Sequence, residues 1–313
     1  MKTLTLSAIS LLLSLCNLNI NAQTVEKIKY GDFDSWITRN IKESRVLGGK
    51  VKKVYAIGPS ATLGSTPYNG SSASPWATSN VMARVMGVTK GSNAVYPEAR
   101  EGHGRCARLC TEIEHCQAAG LISMDVVVAG TVFLGKMLEP IKSTKNPYSK
   151  MEMGVPYDHR PQALVFDYKL NIPGNNRLYS SGFGGKKELP GTDKAEALIL
   201  LQRRWEDEDG NIYAKRIGTG RELLGHSTTG WTNGHKVAIH YGEASSVYPL
   251  IAKGKSYYAC NRKGHMVPVQ EVGWDAPDAA PTHLIVLFSS GSGAPYTGTI
   301  GSEFCIDNVG LQL

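Results

Sequence analysis

The run Ala163-Leu164-Val165-Phe166-Asp167-Tyr168 alternates in character, with an apolar face opposite a mixed one. Successive side chains of a β-strand point to opposite faces of the sheet, so this alternation predicts a strand with one buried face. Residues 81–86 (Val-Met-Ala-Arg-Val-Met) show the same pattern. The protein is therefore expected to build its core from sheets.

Short strand-like segments recur along the chain, separated by clusters of Gly, Pro, Asn and Ser; the 34 glycines and 15 prolines can supply many turns. The predicted strands are residues 50–57, 81–88, 106–116, 123–132, 163–171, 195–205, 212–217, 235–241, 282–288 and 302–313. These predict an all-β protein.

Three stretches are less clear-cut. Helical periodicity is confined to residues 33–44, which predicts a short N-terminal helix. The apolar residues of 195–205 could also line a helix, but the turn-forming residues 207–211 that follow favour one arm of a hairpin. Residues 59–75, rich in Ser, Gly, Thr and Asn, are predicted to form a long loop within one domain.

The first 22 residues have the organisation of a secretory signal peptide. Lys2 precedes an uncharged apolar run over residues 4–15, and small residues lead to a cleavage site after Ala22. The apolar run is too short to cross about 30 Å of hydrocarbon, which disfavours a membrane anchor. Leu15 disfavours lipoprotein cleavage before Cys16. We expect export to the periplasm, outer surface or medium, with residues 23–313 forming a single domain.

The net charge of +7 is dispersed, without a run of five or more like charges. This distribution argues against a nucleic-acid-binding arm. The mild basic excess is compatible with an acidic glycan as partner, although a solvated surface explains it more simply. No other stretch approaches the length of a transmembrane helix.

A cysteine cluster invites a zinc interpretation, which its spacing disfavours. Cys106, Cys110 and Cys116 lie near His103 and His115, but no CxxC pair is present. On a regular strand the three cysteines would share one face, too far apart to meet at one ion. Small apolar packing residues are the better prediction.

Three motifs in order carry a resemblance to a known family: residues 30–36 (Tyr-Gly-Asp-Phe-Asp-Ser-Trp), 159–170 (His-Arg-Pro-Gln-Ala-Leu-Val-Phe-Asp-Tyr-Lys-Leu) and 301–309 (Gly-Ser-Glu-Phe-Cys-Ile-Asp-Asn-Val). Over nearly all of residues 24–313 the chain resembles the putative carbohydrate metabolism domain of exported Bacteroidetes proteins. The resemblance implies a jelly-roll β-sandwich of two antiparallel sheets, similar to non-catalytic carbohydrate-binding modules.

Sugar binding calls for an exposed aromatic ring with polar partners beside it, because a sugar presents C–H bonds on its flat face and hydroxyls at its rim. The candidates are aromatic and polar residues in loop-like surroundings: Trp231, Trp274, Tyr157, His159 and Arg160. Alternatively, each aromatic ring packs into the core or holds a loop in place.

Modules of the jelly-roll kind often join their first and last strands through calcium, and carboxylate oxygens suit that ion. Asp32, Asp34 and Asp307 lie at the appropriate ends of the chain. Alternatively, Asp34 caps the helix-like segment beginning near Ser35, and Asp307 binds backbone amides.

Catalytic motifs are weak in this sequence. Glu112 and Glu114 share one face of a predicted strand, as acid and nucleophile do in β-glucanase-type jelly rolls, but Gln117 replaces the third acid of that signature. The leading hypothesis is an exported protein that binds an oligo- or polysaccharide without catalysis and serves a cell-surface glycan-uptake system. The alternatives are a glycoside hydrolase or polysaccharide lyase acting on the concave face, and a structural or adhesive surface protein.

Overall fold

The computed structural model describes residues 24–118, 122–143, 145–182, 185–251 and 257–313. Within these residues the protein is all-β and forms several sheets, which confirms the predicted class. The predicted signal peptide and Cys16 lie outside the described residues. No helix in the described ranges is long and apolar enough to cross a bilayer.

The strands are β1 Val25–Lys27, β2 Trp36–Lys42, β3 Val51–Ile57, β4 Ala61–Leu63, β5 Trp76–Thr78, β6 Val81–Val85, β7 Val88–Ser92, β8 Val95–Ala99, β9 Arg105–Ala118, β10 Ile122–Ala129, β11 Thr131–Met137, β12 Met151–Met153 and β13 Val155–Pro156. They continue as β14 Ala163–Asn171, β15 Leu178–Ser180, β16 Lys187–Leu189, β17 Ala195–Glu206, β18 Ile212–Leu224, β19 Thr232–Ala238, β20 His240–Tyr241, β21 Tyr258–Cys260, β22 Met266–Trp274, β23 His283–Ser289, β24 Thr297–Gly298 and β25 Glu303–Gln312. Single 3₁₀ turns cover Arg45–Leu47 and Pro147–Lys150.

One large sheet is antiparallel, in the order β10-β9-β25-β14-β19, with β1 added to β25 and β8 added to β9. We call it the antiparallel sheet. It brings the two ends of the described chain together, because Val25 of β1 lies opposite Gln312 of β25.

The second large sheet closes on itself. Its pairings run β23-β17-β18-β22-β21-β12-β11, and β11 pairs with β23 again. We call this closed set of strands the ring. Two of its pairings are parallel, β18 with β22 and β12 with β21, and the others are antiparallel. Strands β5, β13 and β20 are added to this sheet, beside β11, β23 and β18 respectively. Smaller sheets (β3-β2-β4, β6-β7 and β16-β15-β24) complete the described part.

Strand β17 shows how the two large sheets share the apolar residues. Ile199 and Leu201 belong to a first core cluster, which also contains Phe166 of the antiparallel sheet. Leu198 and Leu200 belong to a second cluster, built from residues of the ring strands. A strand buried on both faces shows a continuous apolar run instead of alternation, which explains why residues 195–205 resembled a helix. The predicted hairpin is confirmed by the antiparallel pairing of β17 with β18.

The predicted N-terminal helix over residues 33–44 is wrong. The region forms β2, in which Ile37, Arg39 and Ile41 are buried while the residues between them are less so. Pairing with β3 along the whole strand satisfies the backbone, and β-branched side chains suit that geometry. The predicted loop over residues 59–75 contains one short strand, β4, which pairs in parallel with β2.

Candidate functional site

A cleft of about 750 Å³ opens where several ring strands end. The C-terminal end of β17 meets the N-terminal ends of β18 and β23 because these neighbours are antiparallel. The C-terminal half of β11 reaches the same end. We call this the ring-end cleft. Its wall includes Glu152, Arg204, Trp205, Glu206, Cys260 and His283.

Trp205 belongs to the cleft wall and has an exposed aromatic ring on the face of β17 opposite to that of Arg204. Its side chain is 40% exposed although it lies on a core strand. Tyr213, directly opposite it on β18, stacks on the indole with ring centroids 5.8 Å apart and planes inclined by 23°. The guanidinium of Arg203 also lies 5.8 Å from the centroid of the indole. Tyr213 and Arg203 hold the indole in a fixed orientation while part of it reaches solvent.

Arg204 places a guanidinium group in the same wall. Its Nε donates to Gln202 Oε1 (2.8 Å) and its Nη1 donates to the Met153 carbonyl (2.9 Å). Its Nη2 is buried and has no acceptor among the described residues. Gly154, at φ +96°, leaves room for this group, because a Cβ atom there would lie 2.8 Å from Nη2.

His283 supplies an uncharged imidazole. Burial, with a further contribution from the charge of Arg204, lowers its pKa to about 4. Its Nδ1 lies 2.9 Å from Thr282 Oγ1. At neutral pH this ring therefore carries one N–H donor and one acceptor nitrogen, which suits it to bind a hydroxyl.

Two carboxylates complete the set. Glu152 accepts a hydrogen bond from the Cys260 backbone (3.3 Å) and lies 3.7 Å from Lys136 Nζ. Glu206 accepts the backbone N–H of Arg262 on both oxygens, at 3.2 and 3.0 Å. A cleft with two carboxylates can bind sugar hydroxyls, and it contains the acid and base groups that glycosidic-bond cleavage uses.

The predicted tryptophan platforms are covered by arginines, outside the ring-end cleft. The guanidinium of Arg100 lies 3.9 Å from the centroid of Trp231, and that of Arg216 lies 5.4 Å from the centroid of Trp274. Both tryptophans are half-buried. Sugar binding at either residue stays a prediction.

The three other predicted sugar-binding residues form a separate group. Tyr157 packs against the first core, with a buried hydroxyl that has no partner among the described residues, and its ring lies 5.6 Å from that of His159. Arg160 is exposed and lies over Tyr241 at 4.1 Å. It donates to the carbonyls of Pro277 and Ala279. Their predicted role in sugar binding stays untested.

The predicted calcium ligands are occupied by hydrogen-bond donors. Asp307, which is 1% exposed, accepts from Arg100 Nη1 at 2.6 Å and from the Asn308 backbone at 2.7 Å. Asp32 is exposed, and Asp34 accepts the backbone N–H of Arg105. Within the described ranges, no group of three His, Cys, Asp or Glu side chains is placed to hold a metal ion. Asp307 pairs with the guanidinium of Arg100, and calcium binding by Asp32, Asp34 and Asp307 stays a prediction.

The predicted pair of strand carboxylates has structural partners. Glu112 accepts from the Tyr96 hydroxyl at 2.8 Å. Glu114 is nearly buried, with Lys52 Nζ 2.7 Å and Lys90 Nζ 3.3 Å away. The nearby cysteines Cys106 and Cys110 are free and buried, as is Cys305. Cys260, also free, is exposed in the ring-end cleft.

Sequence reasoning missed the residues of the ring-end cleft. It placed Trp205 at the end of a core strand, whereas the strand leaves the core there. A signal was present, because Arg203-Arg204-Trp205-Glu206 ends the apolar run with large polar and amphipathic side chains just before a turn.

Comparisons with known proteins place the chain in a family. The family model "Putative carbohydrate metabolism domain" matches residues 51–247, which include Glu152, Arg204, Trp205 and Glu206. The predicted domain of residues 23–313 is longer than this match and stays a prediction. No curated protein matches the chain.

Two solved structures, both of Bacteroides proteins, are similar to the chain. One is a putative glycoside hydrolase from Bacteroides thetaiotaomicron, with 19% identity and a TM-score of 0.48 over 88% of this chain and 70% of that one. The other is a putative glycoside hydrolase from Bacteroides vulgatus, with 14% identity and a TM-score of 0.45 over 92% and 95% of the two chains.

Proposed function

The chain belongs to the family of the putative carbohydrate metabolism domain, and we propose that it is an exported protein that binds an oligo- or polysaccharide in the ring-end cleft. The observation that carries the proposal is Trp205, which exposes 40% of its side chain beside a cleft of about 750 Å³. A cleft of this size can hold a short saccharide. We also propose that the protein is a jelly-roll sandwich, that it is exported, and that it takes part in a cell-surface glycan-uptake system.

The wall residues supply both kinds of contact that a sugar needs. The indole of Trp205 offers an apolar surface for the C–H face of a pyranose ring. Neutral His283 can donate to or accept from a hydroxyl through Nε2, since Thr282 holds Nδ1, and Glu152 and Glu206 can accept from hydroxyls. The fixed stacking on Tyr213 reduces the conformational entropy that the indole loses when a sugar binds.

Replacing Trp205 with Ala is expected to weaken glycan binding by at least about tenfold, because aromatic contacts at a binding site are commonly worth more than about 1.4 kcal/mol. The measurement is a glycan array on residues 23–313, followed by calorimetric titration of the best ligand. Trp231→Ala and Trp274→Ala are the matched controls, and thermal melts confirm that each variant folds.

Cys260 provides an independent test of where the glycan binds. Its thiol is exposed in the same cleft, so a bound glycan should slow the reaction of this thiol with a maleimide. Peptide mapping measures the extent of that reaction. Full affinity in the Trp205 variant together with unprotected Cys260 would contradict the proposed site. Loss of binding in the Trp231 or Trp274 variant alone would move the site to that residue.

Glycan cleavage is the second candidate function, and the presence of Glu152 and Glu206 in one cleft favours it. If the protein cleaves glycans, wild type should release reducing ends or unsaturated products from the ligand found on the array. Glu152→Gln or Glu206→Gln should reduce that release by at least about a hundredfold while binding persists. Binding without product release supports the non-catalytic function, and an array without any signal would leave a structural or adhesive role.

A further inference from the structure

Arg204 differs from the buried arginines elsewhere in the described chain. Arg39 pairs with Glu139, Arg100 with Asp167 and Asp307, and Arg216 with Glu271. Arg39 and Arg100 each leave only Nε without an acceptor. Arg204 forms no ion pair within the described residues, and both of its hydrogen bonds go to neutral oxygens.

Among the described residues, no carboxylate forms an ion pair that compensates the charge of Arg204. Burial lowers the pKa of its guanidinium to about 10, against a partial opposing effect of Glu271 and Glu152. Glu271 is already held by Arg216. Arg204 is half-buried, but its Nη2 atom is buried, and a buried donor costs free energy unless an acceptor reaches it.

The acids of the ring-end cleft have donors of their own. Glu206 is bound by the Arg262 backbone and lies 3.2 Å from Arg262 Nε. Glu152 is bound by the Cys260 backbone and lies near Lys136. Lys29 adds a further positive charge to the cleft wall. The uncompensated charge in the cleft is therefore positive.

We propose that the ring-end cleft selects anionic saccharides, and that Arg204 Nη2 donates a hydrogen bond to their uronate carboxylate or sulfate ester. This inference rests on the proposed function and names the class of its ligand. A charge-assisted hydrogen bond is roughly twice as strong as a neutral one, so the anion satisfies both the unused donor and the unpaired charge. A hydroxyl group would satisfy only the donor.

The test compares saccharides that differ in charge alone. The carboxylate probes are tetragalacturonate and its full methyl ester; the sulfate probes are a κ-carrageenan tetrasaccharide, which contains no uronate, and its desulfated form. Wild type, Arg204→Gln and Arg177→Gln are titrated with each probe by calorimetry. Arg177 is the matched control because it is an exposed arginine that pairs with Glu188 outside the ring-end cleft.

Wild type is expected to bind at least one anionic probe about tenfold more tightly than its uncharged partner, with an affinity that falls as salt rises. Arg204→Gln should remove this preference, so that the charged and uncharged partners bind about equally, while Arg177→Gln keeps the preference. The pair that shows the preference identifies carboxylate or sulfate as the group bound.

Two outcomes would overturn the inference. The first is equal affinity for charged and uncharged partners, or binding of neutral glycans alone on the array. Either result would contradict selection of anionic saccharides but would leave the proposed glycan binding unaffected. Absence of binding to any glycan would remove both. If Arg204→Gln lowers the melting temperature markedly, the salt dependence of the wild type decides, since it requires no variant.

Discussion

Replacing Arg216 with Met is expected to lower the free energy of unfolding by about 3–5 kcal/mol, because it leaves a buried carboxylate without its cation. The side chains of Arg216 and Glu271 are 0% and 1% exposed. Arg216 donates from Nε and Nη2 to the two oxygens of Glu271, at 2.7 and 2.5 Å. Urea unfolding at pH 7 measures the loss.

Matched variants separate the buried charge from the shape of the side chain. Arg216→Met combined with Glu271→Leu should recover a large part of the loss, because the double change leaves no unpaired charge. Arg203→Met, at an exposed ion pair, should have little effect. An equal loss in the single and double variants would show that packing, not the unpaired charge, sets the stability here.

Replacing Arg100 with Ala is expected to cost a similar amount, about 3–5 kcal/mol, because two carboxylates lose one shared cation. Arg100 Nη1 lies 2.8 Å from Asp167 and 2.6 Å from Asp307, and Nη2 donates to Asn233 at 2.7 Å. The same guanidinium covers the ring of Trp231. Chemical unfolding gives the energy, and the fluorescence of the folded variant reports on Trp231.

The emission of Trp231 should shift to the red in Arg100→Ala, because water replaces the guanidinium on the ring. The Trp231→Phe background provides the control, since the same change should give no shift there. A small loss of stability with unchanged emission would mean that the two aspartates find other partners when Arg100 is removed.

The local sequence pattern was sufficient to predict some elements of the fold. The pattern over residues 163–168 correctly predicted the strand β14, but the expected single buried face is wrong, because all six residues are buried. The turn after residue 206 correctly predicted the β17–β18 hairpin. Periodicity failed over residues 33–44 because seven residues of β2 pair with β3, and that partner lies outside the window that the pattern covers.

The sequence predicted the kind of residues that form the candidate site, but not their position in the chain. An aromatic ring beside polar groups was the right kind of feature to seek, and loop context pointed to Trp231 and Trp274. Arg100 precedes Trp231 by 131 residues and yet lies on its ring, a contact that no local pattern contains. Trp205 is exposed because it lies near the end of β17, where the ring opens.

The sequence by itself determined the all-β class, the hairpin and the family, because these depend on side-chain period, turn residues and motifs that are local in the chain. Only the tertiary structure decided that β11 pairs with β23, that the ring ends in a cleft, and that Arg204 has no ionic partner among the described residues. The physical reason is distance along the chain: a cleft and an unpaired charge are properties of residues brought together from separate strands.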